Sequence, residues 1–213
     1  MKHVLVTGGS SGTGAALIRK LRNQSDVTEI TDWSRELGVD VRDSMALRIA
    51  AQQLTTPVDI LVNAAGVNYI NWLEDVPEED WDRLMETNAK GIWLTAKALI
   101  NADMFKKPAT ICNIVSNASH QPMTHSIAYN ASKAAAHTMT LQMARELKKT
   151  HDITVFGVSP NKLSGTQMSE YIEGRVCELR GWTKEQAAEY QKAALPAGEE
   201  TTPEALGEFI AFL

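Results

Sequence analysis

The chain has 213 residues, 44% of them hydrophobic, and a formal net charge of −5, which supplies apolar material for one substantial core and fits a single domain over 1–213. No long basic run occurs, so no nucleic-acid or acidic-membrane partner is expected, and the longest apolar stretches fall far short of a membrane span. The two cysteines, Cys112 and Cys177, and the five scattered histidines lack metal-ligand spacing, which excludes a disulfide scaffold and a metal site and predicts a reduced, cytoplasmic setting.

The first predicted strand is the apolar run His3-Val4-Leu5-Val6, which begins too early to leave room for a signal peptide. It feeds the turn Thr7-Gly8-Gly9-Ser10-Ser11-Gly12-Thr13-Gly14, and a helical pattern follows with Ala15, Leu17, Ile18 and Leu21 inward. The glycine spacing is a weak signal alone, but strand, turn and helix in that order are what a dinucleotide phosphate site requires. Gly8 and Gly12 are read as adopting backbone angles closed to other residues, and Gly12 and Gly14 as letting the backbone approach a pyrophosphate. The N–H groups of Ser10, Ser11 and Thr13 and the positive end of the helix would then face the phosphates. A hydrolase-type phosphate loop would need Lys after the last glycine, and Ala15 stands there.

Further β-branched segments at 27–31, 58–62, 109–115 and 152–158 alternate with helical patterns, which predicts a parallel sheet with helices on both faces. An extended piece, Gly38-Val39-Asp40-Val41, follows the second strand after about five residues, too few for a crossover helix. Residues 75–100 read as one long helix, with Pro77 near its start. A second long helix covers 128–149 and carries Tyr129 and Lys133 four residues apart, on one face. The last helical run, 205–213, ends in its most apolar turn.

Tyr129 is the candidate acid/base. A phenol titrates near 10, so acting as a base near neutrality needs a fall of about three units, roughly 4 kcal/mol, and the Lys133 ammonium supplies the correct sign. Asp32, at the end of the second strand, is placed to accept both adenosine ribose hydroxyls and to repel a 2′-phosphate, which favours NAD over NADP. Arg35, three residues on, is the counter-signal.

With these motifs in hand, the chain resembles the short-chain dehydrogenase/reductase family from residue 2 to its end. Shared are the TGxxxGxG turn at 7–14, Asp40-Val41, Asn63-Ala64-Ala65-Gly66, Asn88, Ser116 thirteen residues before Tyr129, and the YxxxK pair itself. The resemblance implies an α/β, Rossmann-type doubly wound parallel sheet in three layers, here lacking the usual last strand. It implies hydride transfer between NAD or NADP and a small secondary alcohol or ketone, with proton exchange by Tyr129. Ser116 would hold the reacting oxygen, Lys133 would reach the nicotinamide ribose, and Asn88 would hold a water leading from Lys133. Asp40 and Val41 would lie near the adenine, Asn63 to Gly66 along the cofactor, and Pro160, Leu163 and Thr166 near the carboxamide.

Thr13 departs from the usual isoleucine, and Pro160-Asn161 from the usual Pro-Gly. Because a seventh strand would normally follow the last helix, its apolar end is expected to be covered by a partner subunit or to leave a sheet edge exposed. The family also implies a homodimer or homotetramer built on the two long helices, and a substrate lid at about 164–198. Asn68, Tyr69, His120, Gln121 and Met123 are expected to face the substrate. Alternatives are a 3-oxoacyl-thioester reductase using NADPH and a non-catalytic nucleotide-sensing regulator.

Overall fold

The computed structural model describes residues 1–193, 195 and 198–213. Strands β1 (Lys2–Thr7), β2 (Val27–Trp33), β3 (Val58–Asn63), β4 (Phe105–Ile114) and β5 (Ile153–Val158) form one parallel sheet in the order β2-β1-β3-β4-β5. Alternation along β1 assigns the two faces. Leu5 packs with Leu61, Ile111 and Val155 under α2 (Ser44–Gln53), α4 (Gly91–Asn101) and α5 (Ile127–His151). Val4 and Val6 point the other way, onto α1 (Gly12–Leu21) and α8 (Pro203–Phe212). The direction in which successive strands are added across the sheet reverses at β1, which has β2 on one side and β3 on the other. A crevice therefore opens beyond the carboxyl ends of β1 and β3, the position where doubly wound sheets bind ligands.

Residues 38–41 are not a strand. Gly38 closes a turn over Arg35–Leu37 at φ 85°, and Asp40 accepts the Arg42 N–H at 2.9 Å, which turns the chain into α2. The crossover from β2 to β3 then contains α2 and is long enough. Its start is fixed by Asp43, whose carboxylate accepts from Met45 and Ala46 N–H groups.

The expected helix over 75–100 begins later and is interrupted. Leu73–Asp75 form a single 3₁₀ turn, Pro77 precedes α3 (Glu78–Met85), and a π-helical turn over Glu86–Lys90 inserts before α4. α5 ends at Asp152 in the left-handed conformation, with Lys148, Lys149 and His151 at the negative end of its dipole. The segment after β5 carries α6 (Gln167–Arg180) and α7 (Lys184–Ala193). Residues 194, 196 and 197 of the expected lid lie outside the described residues. Leu206 and Ile210 of α8 are buried against α1, whereas Phe209 and Phe212 remain exposed. Among the described residues no helix is long and apolar enough to cross a membrane.

Candidate active site

One cavity of about 1090 Å³ runs along the carboxyl ends of the strands, lined by the glycine turn, the loop after β3, the start of α5 and the face of α6. At the turn, Gly8 has φ 68°, and a Cβ there would stand 2.7 Å from Ala65 Cα. Both the angle and the contact therefore exclude a side chain. Gly12 has φ 51° with open space around it. Gly14 differs from expectation: its missing Cβ would lie 2.3 Å from the Gly8 carbonyl oxygen, so it serves helix-to-strand packing and does not line the cavity. Ser11 precedes α1 in extended conformation with no side-chain cap, which leaves the first-turn N–H groups to the cavity. An uncapped helix start, lined by Ser10, Ser11, Gly12 and Thr13, fits a pyrophosphate.

Around the adenosine end the wall is Trp33, Ser34, Arg35 and Glu36, with Asp40, Val41 and Arg42 opposite. Asp32 is not part of that wall, because its Oδ1 accepts the Gly9 N–H at 3.0 Å. Its carboxyl is held above the usual range, chiefly by burial, against the pull of the Gly9 and Ser34 hydrogen bonds. Glu36, missed in the sequence, accepts the Ser10 hydroxyl at 2.7 Å. Arg42 forms a bidentate pair with Asp40, and that pairing holds the Asp40 carboxyl below the usual range.

Ala64, Ala65 and Gly66 line the middle of the cavity, and Thr7 Oγ1 accepts from the Ala64 and Ala65 N–H groups. Asn63 does not reach the cavity. It is buried and donates to Asn113 Oδ1 at 2.8 Å, and Asn113 donates to Thr140 at 2.9 Å, which ties β3 and β4 to α5. Asn88 sits on the π turn, fully buried. Its Oδ1 accepts the Val67 N–H, and its amide donates to the Val67 carbonyl and to Ser132. Ser132, also missed in the sequence, donates its hydroxyl hydrogen bond to the Tyr129 carbonyl at 2.8 Å. Asn88 thus locks the loop at Val67 onto the helix that carries Tyr129, and the π turn supplies the bulge that admits it.

Ser116, Tyr129 and Lys133 line the cavity together. Lys133 is 5% exposed and donates to the Ile114 carbonyl at 2.9 Å. Its ammonium lies 5.9 Å from the Tyr129 ring centre. Burial lowers Lys133 from 10.5 to about 8. Burial also pushes the Tyr129 phenol upward, with the Ser116 hydroxyl working in the opposite direction. The expected lowering of Tyr129 by Lys133 is absent from this balance, because desolvation dominates both groups. Pro160 and Leu163 line the cavity, as does Thr166, whose hydroxyl caps α6 by accepting the Ser169 N–H at 3.0 Å.

Of the loop residues expected to face the substrate, Asn68, Gln121 and Met123 line the cavity. Tyr69 and His120 do not line the cavity, and His120 stacks edge-on against His137 at 4.6 Å. The sequence reading missed Ile70, His125, Tyr171 and Arg180, which lie on the same wall. Among the described residues no cluster of three metal-ligating side chains occurs.

A family model described as short chain dehydrogenase matches residues 2–175. An NAD-dependent glycerol dehydrogenase of Listeria innocua is 30% identical, with 100% of this chain and 86% of the relative covered. A sorbitol-6-phosphate 2-dehydrogenase of Klebsiella pneumoniae is 27% identical, with 99% and 88% covered. Among solved structures, a short chain dehydrogenase family protein from Francisella tularensis matches with a TM-score of 0.87 at 22% identity, covering 100% of this chain and 90% of the other.

Proposed function

The chain belongs to the short-chain dehydrogenase family, NAD(P)-dependent enzymes that act on CH–OH groups, and from that premise we propose how its own residues divide the work. Tyr129 exchanges a proton with the substrate oxygen, and Ser116 holds that oxygen by a hydrogen bond. The observation that carries this reading is that Ser116, Tyr129 and Lys133 face one cavity continuous with the glycine turn. When bound, NAD(P) supplies or accepts the hydride.

The raised pKa of Tyr129 keeps the phenol in its protonated form, the form that donates a proton during ketone reduction. In the oxidative direction the Lys133 ammonium, charged below about pH 8, stabilises the phenolate. Gly8, Ser10, Ser11, Gly12 and Thr13 hold the pyrophosphate. Ala64 to Gly66 pass along the cofactor, and Pro160, Leu163 and Thr166 close over its carboxamide end. Asn88 is a positioning residue that fixes Val67.

NAD is the preferred cofactor in this reading. Glu36 places a carboxylate at the ribose end, and Arg42 is already paired with Asp40. A 2′-phosphate would meet the Glu36 carboxylate there. The substrate is a small polar alcohol or ketone, a reading supported by Asn68 and Gln121 on the wall and by relatives named for glycerol and sorbitol 6-phosphate. Arg35 on the same wall favours a second reading, a 3-oxoacyl-thioester reductase using NADPH. Exposed Trp93 on α4 and Leu141 on α5 support a homodimer through those helices.

Tyr129→Phe tests the assignment. It should lower kcat by about 10²- to 10⁴-fold, and undiminished turnover would overturn it. Titration with NADH and NADPH, followed by nicotinamide fluorescence, should show at least a tenfold preference for NADH.

A further inference from the structure

Beyond the reacting groups, the cavity is walled by α6, α7 and the loops at 68–72 and 123–126, and much of that wall is apolar, with Ile70, Met123, Ile172 and Val176. Two of the polar side chains that interrupt it, His125 and Arg180, each carry a buried nitrogen with no hydrogen-bond partner among the described residues. His125 is 7% exposed, and its buried Nε2 has no hydrogen-bond partner among the described residues. The residue is held at φ 65°, an angle rare for a side chain of this size. Its carbonyl accepts the Asn71 N–H at 3.0 Å, and its ring packs edge-on to Trp72 at 4.3 Å. The imidazole is therefore fixed from two sides while its outer nitrogen is left over.

Arg180, the last residue of α6, repeats the pattern. Its Nε is buried with no partner among the described residues, and the nearby Glu178 is taken by Arg175. The guanidinium carbon lies 4.5 Å from the Trp182 ring centre and 4.7 Å from that of Tyr190. Stacking engages the faces of a guanidinium and leaves its in-plane N–H edge free, the geometry that receives an oxyanion. The group cannot shed its charge, so an unpaired arginine facing an apolar wall is stabilised by an arriving anion. Burial, and after it the positive charge of Arg180, hold the His125 pKa below its usual range. A neutral imidazole protonated at Nε2 still donates to an oxyanion.

We propose that His125 and Arg180 form an oxyanion-binding subsite in the substrate cavity, and that the physiological substrate is a hydroxy compound or ketone carrying a phosphate or carboxylate group. The substrate assignment rests on the dehydrogenase reading above, whereas anion binding is measurable without turnover.

The experiment uses the full chain saturated with NADH, titrated calorimetrically with inorganic phosphate. Arg180→Gln should weaken phosphate binding at least tenfold and Arg180→Lys should restore part of it. Turnover is then compared, with NAD⁺ in place of NADH as the hydride acceptor, within two pairs, sorbitol 6-phosphate against sorbitol and 3-hydroxybutyrate against 2-butanol. At least one anionic member should exceed its neutral partner in kcat/KM by tenfold or more, and Arg180→Gln should bring that ratio to within threefold of one. The pair that responds tells phosphate from carboxylate. Phosphate binding that depends on Arg180, without turnover of any of the four, supports the subsite and counts against the dehydrogenase reading. Turnover with no anion preference, or phosphate binding unchanged in Arg180→Gln, overturns the subsite and leaves the dehydrogenase reading standing.

Discussion

Replacing Lys133 with methionine should stabilise the cofactor-free protein at neutral pH while removing its activity. Lys133 is 5% exposed, and its recorded hydrogen-bond partner is the Ile114 carbonyl at 2.9 Å. A fall in its pKa from 10.5 to about 8 corresponds to a penalty of about 3 kcal/mol for holding the charge in the folded state. Methionine fills a similar volume without that penalty and forfeits a charge-assisted hydrogen bond worth about 2 kcal/mol. The net expectation is a gain of about 1 kcal/mol at pH 7. The pH dependence is the sharper test. Below pH 8 the lysine is protonated in both folded and unfolded states, so the penalty is constant. Between about 8 and 10.5 the folded lysine has lost its proton and the unfolded one has not. Unfolding then takes up a proton, and wild-type stability rises with pH by up to about 1.4 kcal/mol per unit. Tyr129 is present in both proteins and largely cancels in the difference. Urea unfolding followed through the five tryptophans, at intervals from pH 7 to 10, gives wild-type stability minus that of Lys133→Met. The difference should start near −1 kcal/mol and climb above pH 8. A flat difference from pH 8 to 10, or a variant less stable than wild type by 1 kcal/mol or more at pH 7, would refute the reasoning.

Gly207→Ala should destabilise the protein by about 1–3 kcal/mol, because the new Cβ would stand 2.9 Å from the Leu17 backbone nitrogen where α8 crosses α1. Gly174→Ala, in α6 with nothing within 4 Å, should instead stabilise by about 0.5–1 kcal/mol; melting curves of the two variants moving in the same direction would contradict the packing argument. Asn88→Ala leaves the partly buried Val67 N–H and carbonyl without their partner, at a cost of about 1–3 kcal/mol, read as a lower urea midpoint with little change in slope.

The chemistry was legible because it is written in short-range spacing. A glycine turn between strand and helix, and a tyrosine and lysine one helical turn apart, keep their relations whatever the rest of the chain does. A parallel sheet with helices on both faces was legible from β-branched segments alternating with helical patterns along the chain. The expectation of a strand at 38–41 failed because an apolar alternation of four residues does not outweigh Gly38 in the left-handed region and the Asp40 side chain turning the backbone at Arg42. The break in the helix over 75–100 was hidden because a π turn shifts the side-chain face by a fraction of a residue, which hydropathy periodicity does not resolve.

Long-range juxtaposition belongs to the tertiary structure alone. Gly14 looked like a ligand contact until the Gly8 carbonyl was found in its space. Asn63, Asn113 and Thr140 become one buried chain only when β3, β4 and α5 meet. His125 and Arg180 stand 55 residues apart in the sequence and share a wall of the cavity only after α6 folds back over the loop at Ile70. The pKa values of Tyr129 and Lys133 were set likewise, since the sequence gives two groups their neighbours along a helix but not the depth at which they are buried. Local geometry follows from the covalent chain and its hydrogen bonds. Desolvation and contacts across tens of residues depend on which surfaces the core brings together.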